Sequence, residues 1–136
     1  MKKTDRIRRL QIAFWWLSVL LVMTAIFVMS SVPGDKKPSD PFPHADKGEH
    51  FIVYGVLAFT LYGAIRSTAP NRRGMFHIIA PLVIATLYAL SDEIHQGFVP
   101  GRSKSIPDIW ADFIGALVVV SVMHLANLVG GRNRER

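Results

Sequence analysis

Four stretches of this chain contain no aspartate, glutamate, lysine or arginine: residues 10–32, 51–65, 74–91 and 113–131. A helix rises about 1.5 Å per residue, so about 20 apolar residues cross the hydrocarbon of a bilayer. The first run, 23 residues long, suffices by itself. The others become long enough with their flanks. Spans are therefore expected over residues 10–32, 46–67, 75–96 and 106–129. In 136 residues they leave no room for a separate soluble catalytic domain. The expected fold class is all-α, a polytopic membrane protein with a bundle of four transmembrane helices forming a single domain over residues 1–136. Alternation of period two is absent, which argues against a β-barrel. Half the chain is hydrophobic, which excludes disorder and collagen. Zero cysteines exclude disulfides, cysteine-ligated zinc and thiol catalysis. The first run is too long for a signal-peptide core and lacks a small-x-small cleavage site, so it is expected to be retained as an anchor.

The formal net charge of +6 gains meaning from its distribution. Lys2, Lys3, Arg6, Arg8, Arg9, Arg66, Arg72, Arg73, Arg132, Arg134 and Arg136 fall at one end of the expected bundle. Lys36, Lys37, Lys47, Arg102 and Lys104 fall at the other. Eleven against five predicts that both termini are cytoplasmic, because positive charge is retained on that side. No basic patch stands free of a span, so no nucleic-acid partner is expected.

The connections carry turn chemistry. Pro33, Pro38, Pro41 and Pro43 make the first loop extended, since proline removes donors and blocks helix. Gly97 is expected to stop the third helix, Pro100-Gly101 marks a turn, and Pro81 is a candidate kink. Trp15 and Trp16 are expected to anchor the cytoplasmic interface. Small residues four apart, Ala85 with Ala89 and Ala111 with Gly115, suggest close helix contacts.

The polar groups converge on the outer ends of the spans. Asp46, Lys47, Glu49 and His50 open the second. Ser91, Asp92, Glu93, His95 and Gln96 close the third. Arg102 and Ser105 lie in the last loop, and Asp108 and Asp112 open the fourth. Depth sets these apart from ordinary polar ends. The 16 residues 75–90 reach only about 24 Å, short of the roughly 30 Å core, so Asp92 and Glu93 must lie within the bilayer or at its edge. Ionisable groups there cost several kcal/mol unless paired or hydrated, which makes them candidates for function. Spacing of four puts His50 with Tyr54, Asp92 with both Tyr88 and Gln96, and Asp108 with Asp112 on shared faces.

Each residue also has a plain structural reading. Asp46 with Glu49, and Ser105 with Asp108, resemble capping boxes. Glu93 can pair with Arg102 as a structural bridge. His95 points away from the stripe, and His44, His77 and His124 look isolated. Lys47 and Lys104 are expected to be solvated or to meet headgroups. No cofactor is expected. A divalent ion on His50, Glu93 and Asp108 or Asp112 is the sharper alternative, although HExxH and paired-histidine spacings are absent. Ser91 and Ser105 lack a nucleophile elbow.

The stretches Asp46-Lys47-x-x-His50-x-x-x-Tyr54-x-x-Leu57, Ser91-Asp92-Glu93-x-x-Gln96-x-Phe98-x-Pro100-Gly101-Arg102 and Ser105-x-x-Asp108-x-x-x-Asp112-x-x-Gly115, in this order, resemble the VanZ-like family. Two positions depart from its pattern: Asp112, where the family often has asparagine, and Val119, where it often has glycine. The resemblance implies a multi-pass protein of the bacterial cytoplasmic membrane with a role in the envelope; the family takes its name from a teicoplanin-resistance protein. It does not supply a reaction.

Three functions compete. One is binding or modification of an amphiphilic envelope molecule, such as a lipid-linked cell-wall precursor or a glycopeptide, with membrane lipid around it. Arg102 would clamp phosphate or carboxylate, with Asp46, Tyr54, Asp92, Gln96, Ser105 and Asp112 completing a polar ligand site. The second is acid–base or metal-assisted catalysis, with Glu93 as base, His50 as acid partner and Asp108 orienting it. The third is a structural or assembly subunit without a ligand.

Overall fold

In water-free hydrocarbon a backbone must satisfy its own hydrogen bonds, and a helix does so within one segment. The computed structural model, which describes residues 3–36, 45–72 and 74–132, contains four such helices. They are α1 (Lys3–Ser30), α2 (Ala45–Thr68), α3 (Phe76–Gln96) and α4 (Ile106–Arg132), with one turn of 3₁₀-helix at Gly34–Lys36. All four are long and apolar enough to cross a membrane. The expected charges Lys2, Lys37, Arg73, Arg134 and Arg136, the prolines Pro38, Pro41 and Pro43, and His44 lie outside the described residues.

The helices keep within three residues of the expected spans except at the start of α1. α1 begins seven residues before residue 10, because Lys3, Arg6, Arg8 and Arg9 are good helix formers and no breaker separates them from the apolar run. Gly97 ends α3 as read, and α4 opens with a proline that the sequence reading did not use. Pro107 sits in the first turn of α4, where its missing N–H costs nothing. α3 ends at Gln96, with the Gly97 N–H returning to the Glu93 carbonyl at 3.2 Å.

α2 is the centre of the bundle. Tyr54, Leu57, Ala58, Leu61, Tyr62, Ala64 and Ile65 are buried where the other helices pack on it, while Ile52, Val56 and Phe59, spaced three and four apart, keep one exposed face. α1, α3 and α4 each pack against it; α1 meets α3 lightly and does not pack on α4. The outer helices turn Leu17, Leu20, Leu21, Leu87, Leu117, Val118 and Leu125 outward, where lipid covers them. Ser18 and Thr24 on α1 return their hydroxyls to the carbonyls of Phe14 and Leu20, so neither brings an unsatisfied group into the bilayer.

Consecutive crossings place the start of α1, the end of α2, the start of α3 and the end of α4 at one end. Trp16 Nε1 donates to Thr68 Oγ1 at 3.0 Å there, and Asn127 Nδ2 donates to Tyr62 Oη at 3.0 Å. His77 is not isolated: its Nε2 donates to the Ala69 carbonyl at 3.0 Å. Trp15 packs inward on α2: its indole lies over Gly63, where a Cβ would collide with the ring, and edge-on to Phe59.

Small residues set the tightest helix pair. A Cβ on Gly115 of α4 would strike the Phe51 carbonyl oxygen of α2. Gly55 in turn leaves space for Val119, whose Cγ2 would lie 3.1 Å from a Cβ at that position. The buried stripe of α4 therefore runs through Asp108, Asp112, Gly115, Ala116 and Val120, with Ala111 at its half-buried edge. Ala85 and Ala89 are both buried on α3.

Gly115→Ala is expected to lower the unfolding free energy in detergent by about 1–3 kcal/mol, because backbone atoms cannot yield as a side chain does. Gly130→Ala, where a Cβ meets nothing within 4 Å, is expected to be neutral or stabilising. Thermal denaturation of the two purified variants against wild type measures the difference.

Candidate functional site

The polar end of the bundle joins the end of α1, the start of α2, the end of α3, the α3–α4 loop and the start of α4. Helix dipoles favour acids at helix starts, which suits Asp46 and Asp108 in the first turns of α2 and α4. They disfavour acids near a helix end, so Asp92 and Glu93 in the last turn of α3 need hydrogen-bond donors. Gln96 Nε2 donates to Asp92 Oδ2 at 2.9 Å, one turn away. The Ser105 backbone N–H donates to Glu93 Oε2 at 2.6 Å across the loop. Asp92, Glu93, Gln96, Asp108 and Asp112 are all buried.

His50 lies among these carboxylates. Its Nδ1 donates to Asp112 Oδ1 at 3.0 Å, and its Nε2 lies 3.9 Å from Asp108 Oδ2. The ring stacks parallel to Tyr54, one turn deeper, with centroids 6.4 Å apart. The hydrogen bond that orients the imidazole thus comes from Asp112 rather than Asp108. Asp108 instead accepts from Lys47 Nζ at 3.2 Å, and the same ammonium bonds Asp46 Oδ2 at 3.0 Å. Lys47 is therefore a bridge between α2 and α4, although its side chain keeps the solvent exposure expected of it. Three buried atoms here have no hydrogen-bond partner among the described residues: Tyr54 Oη, Glu93 Oε1 and Asp112 Oδ2.

Two further sequence expectations are corrected. Glu93 does not bridge to Arg102. Arg102 reaches away, its Nε donating to the Val32 carbonyl at 3.2 Å and its Nη2 to the Met29 carbonyl at 3.1 Å, which satisfies the end of α1. Ser105 contributes its backbone rather than a capping-box hydroxyl: its carbonyl accepts from the Asp108 N–H at 3.2 Å while its N–H serves Glu93. His95 does point away, pairing with Ser31 Oγ at 3.0 Å and stacking on Phe27.

Beside the cluster is a cavity of about 290 Å³. Its polar side is His50, Tyr54, Asp92, Gln96 and Arg102, joined by Glu49. Its apolar side is Ile26, Met29, Val32 and Val53, three of them contributed by or just beyond α1. Of the ten residues expected at the site, five line this cavity. Glu93, Asp108 and Asp112 lie on the far side of His50, with Asp46 tied in through Lys47 and Ser105 through Glu93. The α1 wall was not foreseen. Its only sequence signal is the spacing of Ile26 and Ser30 on one helical face, which ordinary packing produces too.

The family model described as VanZ/LLP1 matches residues 14–127, which takes in all of the site and most of the bundle. No curated protein and no solved structure matches the chain.

Removing the Glu93 carboxylate leaves the Ser105 N–H without its acceptor. Glu93→Ala is expected to cost about 1–3 kcal/mol of stability, and Glu93→Gln, which keeps an acceptor oxygen, distinctly less. Denaturation of both variants at equal detergent concentration tests this order.

Proposed function

The chain belongs to the VanZ/LLP1 family of membrane proteins, and from that premise and the cavity we propose that it binds or modifies an amphiphilic molecule of the cell envelope. The observation that carries the reading is the two-sided cavity. Ile26, Met29, Val32 and Val53 offer an apolar wall for an acyl or prenyl chain, and Asp92, Gln96 and Arg102 offer groups that bond sugar, peptide or phosphate. Arg102 gives two of its five N–H groups to carbonyls at and just beyond the end of α1, which leaves donors for an anion. A lipid-linked cell-wall precursor or a glycopeptide has both halves of this chemistry, and a link to teicoplanin resistance follows from the first of these ligands.

The polar end faces outward in this reading and both termini are cytoplasmic. The charge asymmetry supports that orientation: Lys3, Arg6, Arg8, Arg9, Arg66, Arg72 and Arg132 all lie at the end opposite the cavity. A second reading, acid–base chemistry on the same molecule, draws on the geometry around His50. Asp112 holds one ring nitrogen and leaves the other facing Asp108, as an acid–base histidine requires.

Two measurements decide. Single cysteines at Lys36 and Arg72, introduced into a chain that has none, are expected to label from opposite sides of intact cells, Lys36 from outside. Labelling of both from the same side ends the outward site. Protein purified in mild detergent is expected to retain a lipid-linked precursor detectable by native mass spectrometry. Arg102→Ala is expected to weaken that binding roughly 10- to 100-fold, the worth of a hydrogen bond to a charged group. Unchanged binding and unchanged glycopeptide susceptibility at equal membrane levels would remove the reading.

A further inference from the structure

We propose that His50, Glu93 and Asp108 form a binding site for one divalent transition-metal ion, Zn²⁺ or Mn²⁺. Each residue presents one ligand atom, and the three atoms lie within 4.8 Å of one another. Ligands held at about 2.1 Å from a common ion stand about 3 to 4 Å apart, so small side-chain rotations close the set. The residues come from α2, α3 and α4, whose mutual packing fixes their positions.

The hydrogen bonds around the three residues leave one ligand atom free on each. His50 gives Nδ1 to Asp112, which turns Nε2 toward Asp108. Glu93 engages Oε2 with the Ser105 N–H and leaves Oε1 buried without a hydrogen-bond partner, in a side chain only 3% exposed. Asp108 engages Oδ1 with Lys47 and leaves Oδ2 toward His50. A carboxylate behind the second nitrogen of a ligating histidine, and hydrogen bonds on the distal oxygens of ligating carboxylates, are the outer contacts that metal sites use to orient their ligands. An ion also resolves an electrostatic imbalance. Lys47 bonds both Asp46 and Asp108, so it offsets only one charge of the four carboxylates Asp46, Glu93, Asp108 and Asp112, which leaves a formal surplus of three around a single imidazole. A dication offsets two of those three charges.

One nitrogen and two oxygens make a donor set of intermediate softness. It favours Zn²⁺ or Mn²⁺ over Ca²⁺, which prefers oxygen alone, and over Cu⁺, which prefers sulfur. Three protein ligands leave at least one coordination position open, and His50 lies at the boundary between the cluster and the cavity. The inference rests on the cluster alone and does not depend on what occupies the cavity.

The test uses the full chain in detergent, purified through a tag without histidine and stripped with chelator. Zn²⁺ or Mn²⁺ is then added against indicators of graded affinity, with bound metal counted by elemental analysis. One equivalent per chain and a rise in melting temperature with metal concentration are expected. Glu93→Gln and His50→Ala are each expected to abolish stoichiometric uptake. Asp112→Asn, which keeps every ligand, is expected to weaken it about 10- to 100-fold. Asp5→Asn and His95→Gln are expected to leave it unchanged. Absence of uptake by folded wild-type protein overturns the proposal. So does uptake that survives Glu93→Gln with His50→Ala, or a preference for Ca²⁺. Arg102→Ala leaves all three ligands in place, so loss of the cavity ligand and loss of the metal are read separately.

Discussion

The close approach of α4 to α2 at Gly115 is the contact on which the arrangement of the polar end depends. Gly115 lies against the backbone at Phe51, next to His50 in the chain. With the two backbones this near, Asp112, one turn above Gly115, is within hydrogen-bond distance of His50 Nδ1. Asp108, a further turn up, meets Lys47. A larger residue at position 115 would separate both pairs together. Gly55 is the looser counterpart: a Cβ there would lie 3.1 Å from the Val119 Cγ2 side-chain methyl rather than against backbone. In lipid, where exclusion of apolar groups from water does not draw helices together, this kind of fit supplies much of the association energy.

The carboxylates at this end are held by donors chosen from three levels of structure. Asp92 is served from its own helix, Glu93 from a loop backbone, and Asp108 and Asp112 from side chains of α2. Buried acids without such donors are costly in a bilayer, which is why each has at least one. The partners are also arranged so that one face of His50 belongs to the acid cluster and another to the cavity. That division lets a single residue serve two neighbouring environments.

Much of this was legible in the sequence, and the limits have a physical origin. Four apolar runs of spanning length admit few folds, so the helices could be read from length and hydropathy. Relations within one helix were equally readable: Asp92 with Gln96, and His50 with Tyr54, follow from a repeat of 3.6 residues. Relations across helices were not. The partners of Arg102 are carbonyls some 70 positions away, and backbone oxygens leave no signature in side-chain identity. The donor to Glu93 is hidden for the same reason, since any residue but proline at position 105 supplies an N–H. The bridging role of Lys47 was hidden because nothing local revealed that α4 would bring Asp108 beside it. The α1 wall escaped notice because residues that line a greasy pocket and residues that face lipid are of the same kinds.

The position of Arg102 has a thermodynamic consequence. Its guanidinium terminates α1 and at the same time borders the cavity, so a molecule that draws on it also acts on the helix end it secures. If occupancy loosens those two carbonyl bonds, anything that frays the end of α1 must strengthen binding by the same factor, because linkage is reciprocal. If occupancy tightens them, a captured molecule stiffens the wall that encloses it. In either case the first transmembrane segment, which forms no hydrogen bond to the acid cluster among the described residues, becomes a reporter of what the cavity holds.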